Sequence, residues 1–299
     1  MAINIITTFE FYRYRIYGSI NYPSHIAHGI SKRGHKVRLI NSRDFVQYTH
    51  GEKFLPLTPG EVIHFRANTT RHAITTAAER GFICVNSVEA VYNSVNKLHS
   101  QLLVQGSNLL IAPTYPEILT SDTENFLEKL ADIMDQNSWD SCVIKPNFAS
   151  GNGSNVWKVD RHDVLNFDMR RISRVKSWTI QKCIKYDRII RTILHGGKML
   201  RECVTYDSPL PGGWKCTVCI NPNMTHLPNP SDDLVQFVEN ICRIIKADDP
   251  GITYIDVFET QDGYVYGETN LNCTLEQHEQ VTGFPIYQHK ADYLISLIK

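Results

Sequence analysis

The sequence predicts an α/β chain whose C-terminal half is of the α+β type. In the first third, short apolar segments alternate with amphipathic segments that end at glycine, which is typical of parallel strands covered by helices. In the last third, apolar segments follow one another and two are joined by a tight turn, which indicates antiparallel pairing. The 299 residues, 42% of them hydrophobic, suffice for one large domain or two to three small ones.

The first third of the chain justifies the parallel sheet. Helices are expected over residues 22–33 and 71–80, because Gly34 and Gly81 follow them as helix-ending residues. Strands are expected at 4–7, 35–40, 62–65 and 82–85. No G-x-G-x-x-G follows the first strand, so the sequence does not support a dinucleotide site there.

The remaining segments predict two further units. Helices are expected over 87–105, over 121–135 with Ser121 or Asp122 as N-cap, from 231 onward, and over 285–299. Strands are expected over 141–145, 155–158, 178–184 and 188–194. Boundaries near Asn86 and Cys183 predict an N-terminal α/β domain (1–86), a central domain with a glycine-bearing loop (87–183), and a C-terminal domain (184–299).

Charge and composition argue against several function classes. The 31 basic and 31 acidic residues cancel, so the overall charge predicts neither a nucleic-acid nor a membrane partner. No apolar run approaches the ~18 residues of a membrane span, and the first residues lack a signal-peptide core. Eight cysteines, mostly in apolar segments, fit reduced, buried thiols in a cytoplasmic protein. Cys216-x-x-Cys219 is a lone pair and only weakly supports a zinc site.

The segment 253–274 carries the most chemical information. It predicts a β-hairpin with its turn at 261–263, Asp256 in the first strand, and Glu268 and Asn270 near the end of the second. Glu268 and Asn270 are two residues apart and therefore share a face, and three hard oxygen ligands on one face suit Mg²⁺. A hairpin with solvated acids is the alternative. Asp256 argues against it, because a carboxylate without a partner is costly in an apolar strand.

A second segment has the composition of a phosphate-binding hairpin. A strand ends in Lys145-Pro146, and a loop with Gly151 and Gly153 leads to the next strand. Glycines let backbone N–H groups approach phosphate oxygens, and lysine adds positive charge. Taken alone, a flexible polar turn explains this loop better. Lys97, alone, is simply an exposed lysine on the preceding helix.

Taken in order, these segments resemble the ATP-grasp carboxylate–amine ligases, and among them the RimK-like branch. The resemblance covers about residues 60–299, and the N-terminal region fits the Rossmann-like domain that precedes the ATP-grasp fold in this family. The matching positions are the Asn-Ser-x-x-Ala stretch 86–90, Lys97, Lys145-Pro146, Gly151 and Gly153, the hinge strand 180–184, Arg191, Asp256, Glu268-Thr-Asn270 and Thr282-Gly283.

The resemblance implies ATP and Mg²⁺ as cofactors and gives a role to each matching position. Lys97 and Lys145 would neutralise the phosphates, and Arg191 would act with Lys145 in catalysis. The metal ligands would be Asp256, Glu268 and Asn270, holding one or two Mg²⁺ ions, with Mn²⁺ as a substitute. Further nucleotide contacts would come from Ser150, Gly151, Gly153 and Ser154 of the loop, from Gln181, Lys182, Cys183 and Ile184 of the hinge, and from Asp187 near the ribose.

Three departures from the family pattern stand out. Lys182 occupies the usual acidic position of the hinge, and 189–191 reads Ile-Ile-Arg in place of Asp-Ile-Arg. The Arg-x-Asn stretch that helps to bind the acid in relatives appears only as Lys215-Cys-Thr217. The acid is therefore not expected to be recognised as in the glutamate-adding members.

The reaction implied by the resemblance joins a carboxylate to an amine. The carboxylate would attack the γ-phosphate of ATP, giving an acyl phosphate and ADP, and an amine would then displace phosphate. No side chain in the sequence can be named as the base for the amine.

The expected partner is a small molecule, peptide or protein carrying a carboxylate and an amine, and the chain is a candidate homo-oligomer. Two alternatives stay open: another ATP-grasp enzyme, such as a D-alanine–D-alanine-type ligase, and a nucleotide-binding module without catalysis.

Overall fold

The structure, a computed structural model, is organised around three β-sheets. It describes residues 1–7, 22–65, 71–119, 123–148, 155–171, 177–207, 224–271, 273 and 275–298.

The first sheet is parallel, as the sequence predicts. Its strands are β1 (Ala2–Thr7), β2 (Lys36–Asn41), β3 (Val62–Phe65) and β4 (Ile83–Val85), in the order β2-β1-β3-β4. The accompanying helices are α1 (Tyr22–Lys32), α2 (Ser42–Thr49) and α3 (Arg71–Glu79). Every residue of β1 and β3 is buried, as expected for parallel strands covered on both faces. Gly34 and Gly81 take φ angles of +80° and +82°, which confirms the predicted helix ends.

The second sheet is antiparallel. Helices α4 (Val88–Val95) and α5 (Lys97–Gln105) precede β5 (Thr114–Leu119), α6 (Thr123–Gln136), β6 (Ser141–Pro146), β7 (Trp157–Asp160) and β8 (Ser177–Lys182). The strand order is β5-β8-β6-β7. Ile144 and Trp178 pack on Leu130 of α6. Because successive residues of a strand face opposite sides, Lys145 points away from this core.

The third sheet is also antiparallel and contains the predicted hairpin. Its strands are β9 (Arg188–His195), β10 (Lys198–Met199), β11 (Glu202–Asp207), β12 (Met224–Pro228), β13 (Ile252–Thr260) and β14 (Gly263–Asn270). They follow the order β12-β11-β9-β13-β14, and β10 pairs with β9. The helices of this part are α7 (Asp232–Ile244), α8 (Glu276–Thr282) and α9 (Ile286–Ser296).

The two faces of the third sheet have different neighbours. On one face, Ile190 and Ile255 share a core with Leu234 of α7. On the other face, Ile193 and Tyr254 pack with α9, α1 and the first sheet. Arg191 and Asp256 belong to this second face by strand alternation.

The predicted helix over 87–105 is wrong at its centre. Asn96 takes an extended conformation (φ −93°, ψ 110°) and separates α4 from α5. Its side chain accepts a hydrogen bond from the backbone N–H of His99 and so begins α5 as an N-cap. Helix α4, on the N-terminal side of the break, is capped in the same way by Ser87.

Several other boundaries differ from the predictions. The strand expected at 155–158 lies at Trp157–Asp160, and the strand expected to end at Ile184 ends at Lys182. Helices α2 and α8 and strands β5 and β10 to β12 were not predicted. The two candidate N-caps of α6, Ser121 and Asp122, lie outside the described residues.

The structure bears on two expectations from composition, those on membrane spans and on buried thiols. Within the described ranges, no helix is both long and apolar enough to cross a membrane. Four thiols are buried, as predicted, and burial raises the pKa of each to about 12: Cys84, Cys142, Cys203 and Cys242. The Cys216 and Cys219 pair lies outside the described residues.

Candidate active site

The hairpin places three oxygen-bearing side chains on one face of the third sheet. Asp256 of β13 lies opposite Glu268 of β14, and Tyr254 lies opposite Asn270. Cross-strand partners point to the same face, and so do residues two apart in one strand. The carboxylates of Asp256 and Glu268 and the amide of Asn270 therefore lie together at the edge of the sheet.

A β-bulge brings Glu268 to that face. Val257 pairs with Tyr266 and Asp256 pairs with Glu268, so Gly267 is an extra residue in β14. Tyr266 packs with Val257 in the core under α7. In a regular strand Glu268 would follow Tyr266 to that buried face, and the bulge moves it to the face of Asp256.

Gly267 has little room for a larger residue. A Cβ atom there would lie 2.7 Å from the carbonyl oxygen of Asp256 and 3.1 Å from the ring of Phe258. Gln101 of α5 donates a 2.6 Å hydrogen bond from Nε2 to the Gly267 carbonyl. The sequence prediction missed both residues, although a glycine within a strand pattern is a signal for a bulge.

Arg191 is fixed by Asp256 through two parallel hydrogen bonds. Arg191 Nε donates to Oδ1 and Nη2 donates to Oδ2, both at 2.7 Å. The two side chains are only 16% and 12% exposed. Burial would lower the pKa of Arg191, but Asp256 raises it well above its ordinary value. The guanidinium is therefore charged and held in one orientation.

Glu268 is held by a lysine and an amide. Lys97 Nζ forms an ion pair with Oε2, and Asn270 Nδ2 donates a 3.0 Å hydrogen bond to Oε1. Burial would raise the pKa of Glu268, but Lys97, Asn270 and Lys145 hold it well below its ordinary value. Glu268 is thus ionised at neutral pH.

The break at Asn96 positions Lys97. The backbone N–H of Lys97 donates to the carbonyl of Asn147 at 2.8 Å, and Asn96 forms an antiparallel bridge with Phe148. The side chain of Asn147 accepts a hydrogen bond from the hydroxyl of Thr179 on β8. These contacts join the start of α5 to the end of β6, and Lys97 therefore lies beside the strand that carries Lys145.

Lys145 adds a second cation to the cluster. Burial lowers its pKa to about 7, Lys97 acts in the same direction, and Glu268 acts against them. Lys145 therefore lies close enough to Lys97 and Glu268 for their charges to interact. Lys97 pairs with Glu268, and Lys145 lies near both without an ion pair of its own among the described residues. An anionic group such as phosphate would stabilise the charged form of Lys145.

The predicted hinge residues lie at the end of β8. Gln181 pairs with Val143 and so shares the face of Lys145, and its Nε2 donates a 2.7 Å hydrogen bond to Thr114 Oγ1. The N–H groups of Lys182 and Cys183 donate to the carbonyls of Pro113 and Ser141. A ligand beside these two residues would therefore meet carbonyl groups and side chains.

The next residues connect β8 to β9. Ile184 is half-buried, and Asp187 is exposed. The N–H of Asp187 donates to the Glu259 carbonyl at 2.8 Å, which fixes Asp187 beside β13. The predicted loop residues Ser150, Gly151, Gly153 and Ser154 lie outside the described residues.

The donor set on the hairpin fits Mg²⁺ as a partial site. No group of three or more His, Cys, Asp and Glu residues in the described part of the chain could hold a metal by itself. Asp256 and Glu268 supply two carboxylates, and Asn270 donates through its nitrogen and retains its oxygen as an acceptor. Mg²⁺ usually takes one or two carboxylates and fills its remaining positions with water and substrate phosphates. These residues fit that arrangement.

This chain resembles known proteins in structure. No family model matches the sequence, and no curated protein matches it. The D-cycloserine synthetase DcsG superposes with a TM-score of 0.72 at 13% identity, covering 100% of both chains. The ATP-grasp ligase PsnB, complexed with precursor peptide PsnA2 and AMPPNP, superposes with a TM-score of 0.70 at 13% identity, covering 100% of this chain and 97% of PsnB. The D-alanine–D-alanine ligase of Bacillus anthracis gives 0.70 at 13% identity, covering 99% and 97%. The chain thus has the fold of the ATP-grasp ligases over its whole length, and the mixed α/β architecture predicted from the sequence is confirmed.

Proposed function

We propose that this chain is an ADP-forming ATP-grasp ligase that joins a carboxylate to an amine through an acyl phosphate. The observation that carries the proposal is the convergence of three cations, Lys97, Lys145 and Arg191, with Asp256 and Glu268 where the second and third sheets meet. The fold supports it, because the structural neighbours named above include ATP-grasp ligases, one of them complexed with AMPPNP.

The first step would transfer the γ-phosphoryl group of ATP to the acid substrate. Asp256, Glu268 and Asn270 would hold Mg²⁺, which would supply neutralisation of phosphate charge. Lys97 and Lys145 would neutralise the α- and β-phosphates. Arg191, held rigid by Asp256, would orient the transferred group and the attacking carboxylate. Phosphoryl transfer depends mainly on such positioning and charge neutralisation, so these residues suffice for it.

The remaining assignments complete the nucleotide site. Adenine would lie along the hinge formed by Gln181, Lys182, Cys183 and Ile184, with Asp187 near the ribose. The loop residues Ser150, Gly151, Gly153 and Ser154 would close over the β- and γ-phosphates. Excluding water in this way would protect the acyl phosphate from hydrolysis.

The RimK-like branch is the subfamily that we propose. Its support is the order and spacing of the matching segments, from Asn86 to Gly283. The substrates would then be an amino acid and a second amino acid, peptide or protein. The structural neighbours are associated with a peptide in one case and with a small molecule in another. PsnB was solved with a precursor peptide, and DcsG is a D-cycloserine synthetase.

The proposal is tested by measuring ADP release from MgATP in the presence of pooled amino acids, peptides and small polycarboxylates. We expect ADP together with a condensation product that is one water lighter than its two parts. Lys145→Ala, at a site lysine that pairs with no carboxylate among the described residues, should lose both signals while remaining folded. A phosphorylated small molecule in place of the amide would support a kinase-like enzyme. Tight ATP binding without ADP release from any pool would favour a non-catalytic module.

A further inference from the structure

His278 is a buried titratable residue that the reaction described above does not use. It lies on α8, which packs on β11 and β12, and is only 2% exposed. Its Nε2 forms a 2.7 Å hydrogen bond with the backbone carbonyl of Glu202, at the start of β11. This contact fixes the position of the ring.

The contact with Glu202 also fixes the tautomer. A carbonyl oxygen can only accept, so Nε2 carries the hydrogen and Nδ1 of the neutral ring carries the lone pair. Nδ1 of His278 is buried and has no hydrogen-bond partner among the residues that the structure describes. A buried acceptor without a donor is costly, so this nitrogen is suited to a donor supplied by a ligand.

His278 lies on the side of the third sheet that carries Arg191. Val204 of β11 pairs with Arg191 on one side and with His226 on the other, so all three share a face. His226 Nε2 contacts the Glu202 carboxylate at 2.6 Å. The charges of Arg191, His226 and Glu202 all act on the His278 ring. The His278 ring therefore lies on the same side of the sheet as Arg191, the residue that we assign to the transferred group, and within range of its charge.

We propose that His278 Nδ1 accepts a hydrogen bond from the amine substrate and takes its proton as the amide forms. This inference rests on the proposed ligase function and supplies the base that the sequence did not identify. The amine nitrogen attacks the acyl carbon and forms the C–N bond. The C–O bond to the phosphoryl group breaks, and phosphate leaves with the electron pair. The N–H proton moves to Nδ1, and the resulting imidazolium releases it to water.

The protonation state of the ring supports this role. Burial lowers the pKa of His278 to about 4, and Arg191 and His226 act in the same direction, against the hydrogen bond to Glu202. The ring is therefore neutral at neutral pH, with its lone pair available. The amine nitrogen becomes positively charged as the C–N bond forms, so a weak base is enough to remove its proton.

The test removes the Nδ1 lone pair of His278 and keeps the hydrogen bond to the Glu202 carbonyl. In His278→Gln, the amide nitrogen can still donate to the Glu202 carbonyl, but the amide oxygen is far too weak a base to take a proton in place of Nδ1. We expect unchanged thermal stability and MgATP affinity. With the amino-acid and peptide pools, we expect amide formation to fall about 10²-fold or more, the usual scale of general-base catalysis.

Hydroxylamine is the matched probe, because it is an α-effect nucleophile that traps acyl phosphates as hydroxamates without needing a base. Hydroxamate formation by His278→Gln should stay within about twofold of wild type, since the first step is intact. His289→Gln, at a histidine that contacts His195 at the far end of β9, should retain both reactions. Equal loss of amide and hydroxamate, or loss of neither, would overturn the role of His278. If the wild type makes neither product, the proposed function fails and the inference with it.

A second measurement needs no substrate. In ¹⁵N-labelled protein, the ring signals that disappear in His278→Gln identify His278. We expect a protonated Nε2 and an unprotonated Nδ1 between about pH 6 and 8. A hydrogen on Nδ1 in this range would overturn the assignment.

Discussion

At the scale of single residues, the charge of Lys145 is the property that the fold changes most clearly in the candidate site. Its pKa falls from 10.5 to about 7, because of burial first and Lys97 second. Between these values the unfolded chain holds a proton that the folded protein has lost. The Lys145 contribution to folding stability therefore rises with pH across this window.

Binding of ATP should reverse this shift. Phosphate oxygens next to Lys145 stabilise its charged form, so we expect MgATP binding above about pH 7 to take up close to one proton. The affinity should weaken by up to about tenfold per pH unit across the same window. Calorimetry in buffers of different ionisation enthalpy measures the uptake.

Lys145→Met is the control for this prediction, because it keeps the length of the side chain and removes the titrating amine. The proton uptake should disappear in the variant, and subtraction cancels the titration of ATP itself. Equal uptake by wild type and variant would show that Lys145 does not contact the phosphates.

The charge of Glu268 gives a second prediction at the scale of single residues. Glu268→Gln keeps the shape of the side chain but removes the charge that pairs with Lys97. We expect turnover to fall about 10²-fold or more, as for other electrostatic contributions, and the Mg²⁺ dependence to weaken. Glu239→Gln is the matched control, because that carboxylate pairs with Lys198 on the α7 side of the third sheet. A Mg²⁺ dependence unchanged from wild type would remove Glu268 from the metal site.

At the scale of secondary-structure elements, the bulge in β14 decides whether Glu268 can join the proposed metal site. Gly267→Ala would place a methyl group 2.7 Å from the Asp256 carbonyl. We expect a loss of about 1–3 kcal/mol in the free energy of unfolding, the usual cost of overpacking, together with loss of turnover as Glu268 shifts. Denaturant unfolding and ADP release measure the two effects.

Gly106→Ala provides the comparison for this variant. Gly106 ends α5 in a right-handed helical conformation, and the nearest atom to its new Cβ would be 3.6 Å away. Its stability should change by less than about 1 kcal/mol, and turnover should not change. Similar effects of the two substitutions would contradict a special role for the bulge.

The interruption between α4 and α5 has its own test. Asn96 and Ser87 are both N-caps, but only Asn96 is followed by a site lysine. Substitution of either by alanine should cost about 1 kcal/mol. Asn96→Ala should also weaken ATP binding, because Lys97 loses its place, whereas Ser87→Ala should bind ATP as the wild type does. If titration of the two variants with MgATP gives equal affinities, the positioning role of Asn96 is wrong.

The elements also show what could be predicted from the sequence. The hairpin was predictable, because one tight turn joins the two apolar segments that carry Asp256 and Glu268. The break at Asn96 was not, because apolar residues continue at helical spacing across it: Val88, Val91, Val95, Leu98 and Leu102. The extended conformation of Asn96 is accompanied by contacts with Asn147 and Phe148, about 50 residues away, which no local pattern contains.

At the scale of the whole molecule, the parallel sheet and the hairpin were predictable, but the way in which the sheets meet was not. Alternating strands and helices indicated the parallel sheet, and consecutive strands indicated the antiparallel ones. Lys97 and Glu268 are 171 residues apart, and Arg191 and Asp256 are 65 apart. Their pairing depends on how the sheets pack. The sequence could nominate these residues through a family resemblance, but not their partners.

The junction also explains why the site needs the second and third sheets together. The second sheet contributes Lys145, the third contributes Arg191 and the hairpin carboxylates, and α5 lies between them with Lys97. A ligand with several negative charges would bind all three parts at once. The central claim is that this ligand is ATP and that its γ-phosphoryl group activates a carboxylate.

The transfer of ¹⁸O from the acid to phosphate tests this claim most directly. The substrate acid is labelled with ¹⁸O in its carboxylate, and the inorganic phosphate released during amide formation is analysed by mass. An acyl phosphate predicts about one labelled oxygen in each phosphate, because the bridging oxygen of the intermediate comes from the acid. Amide formation with unlabelled phosphate would contradict the account.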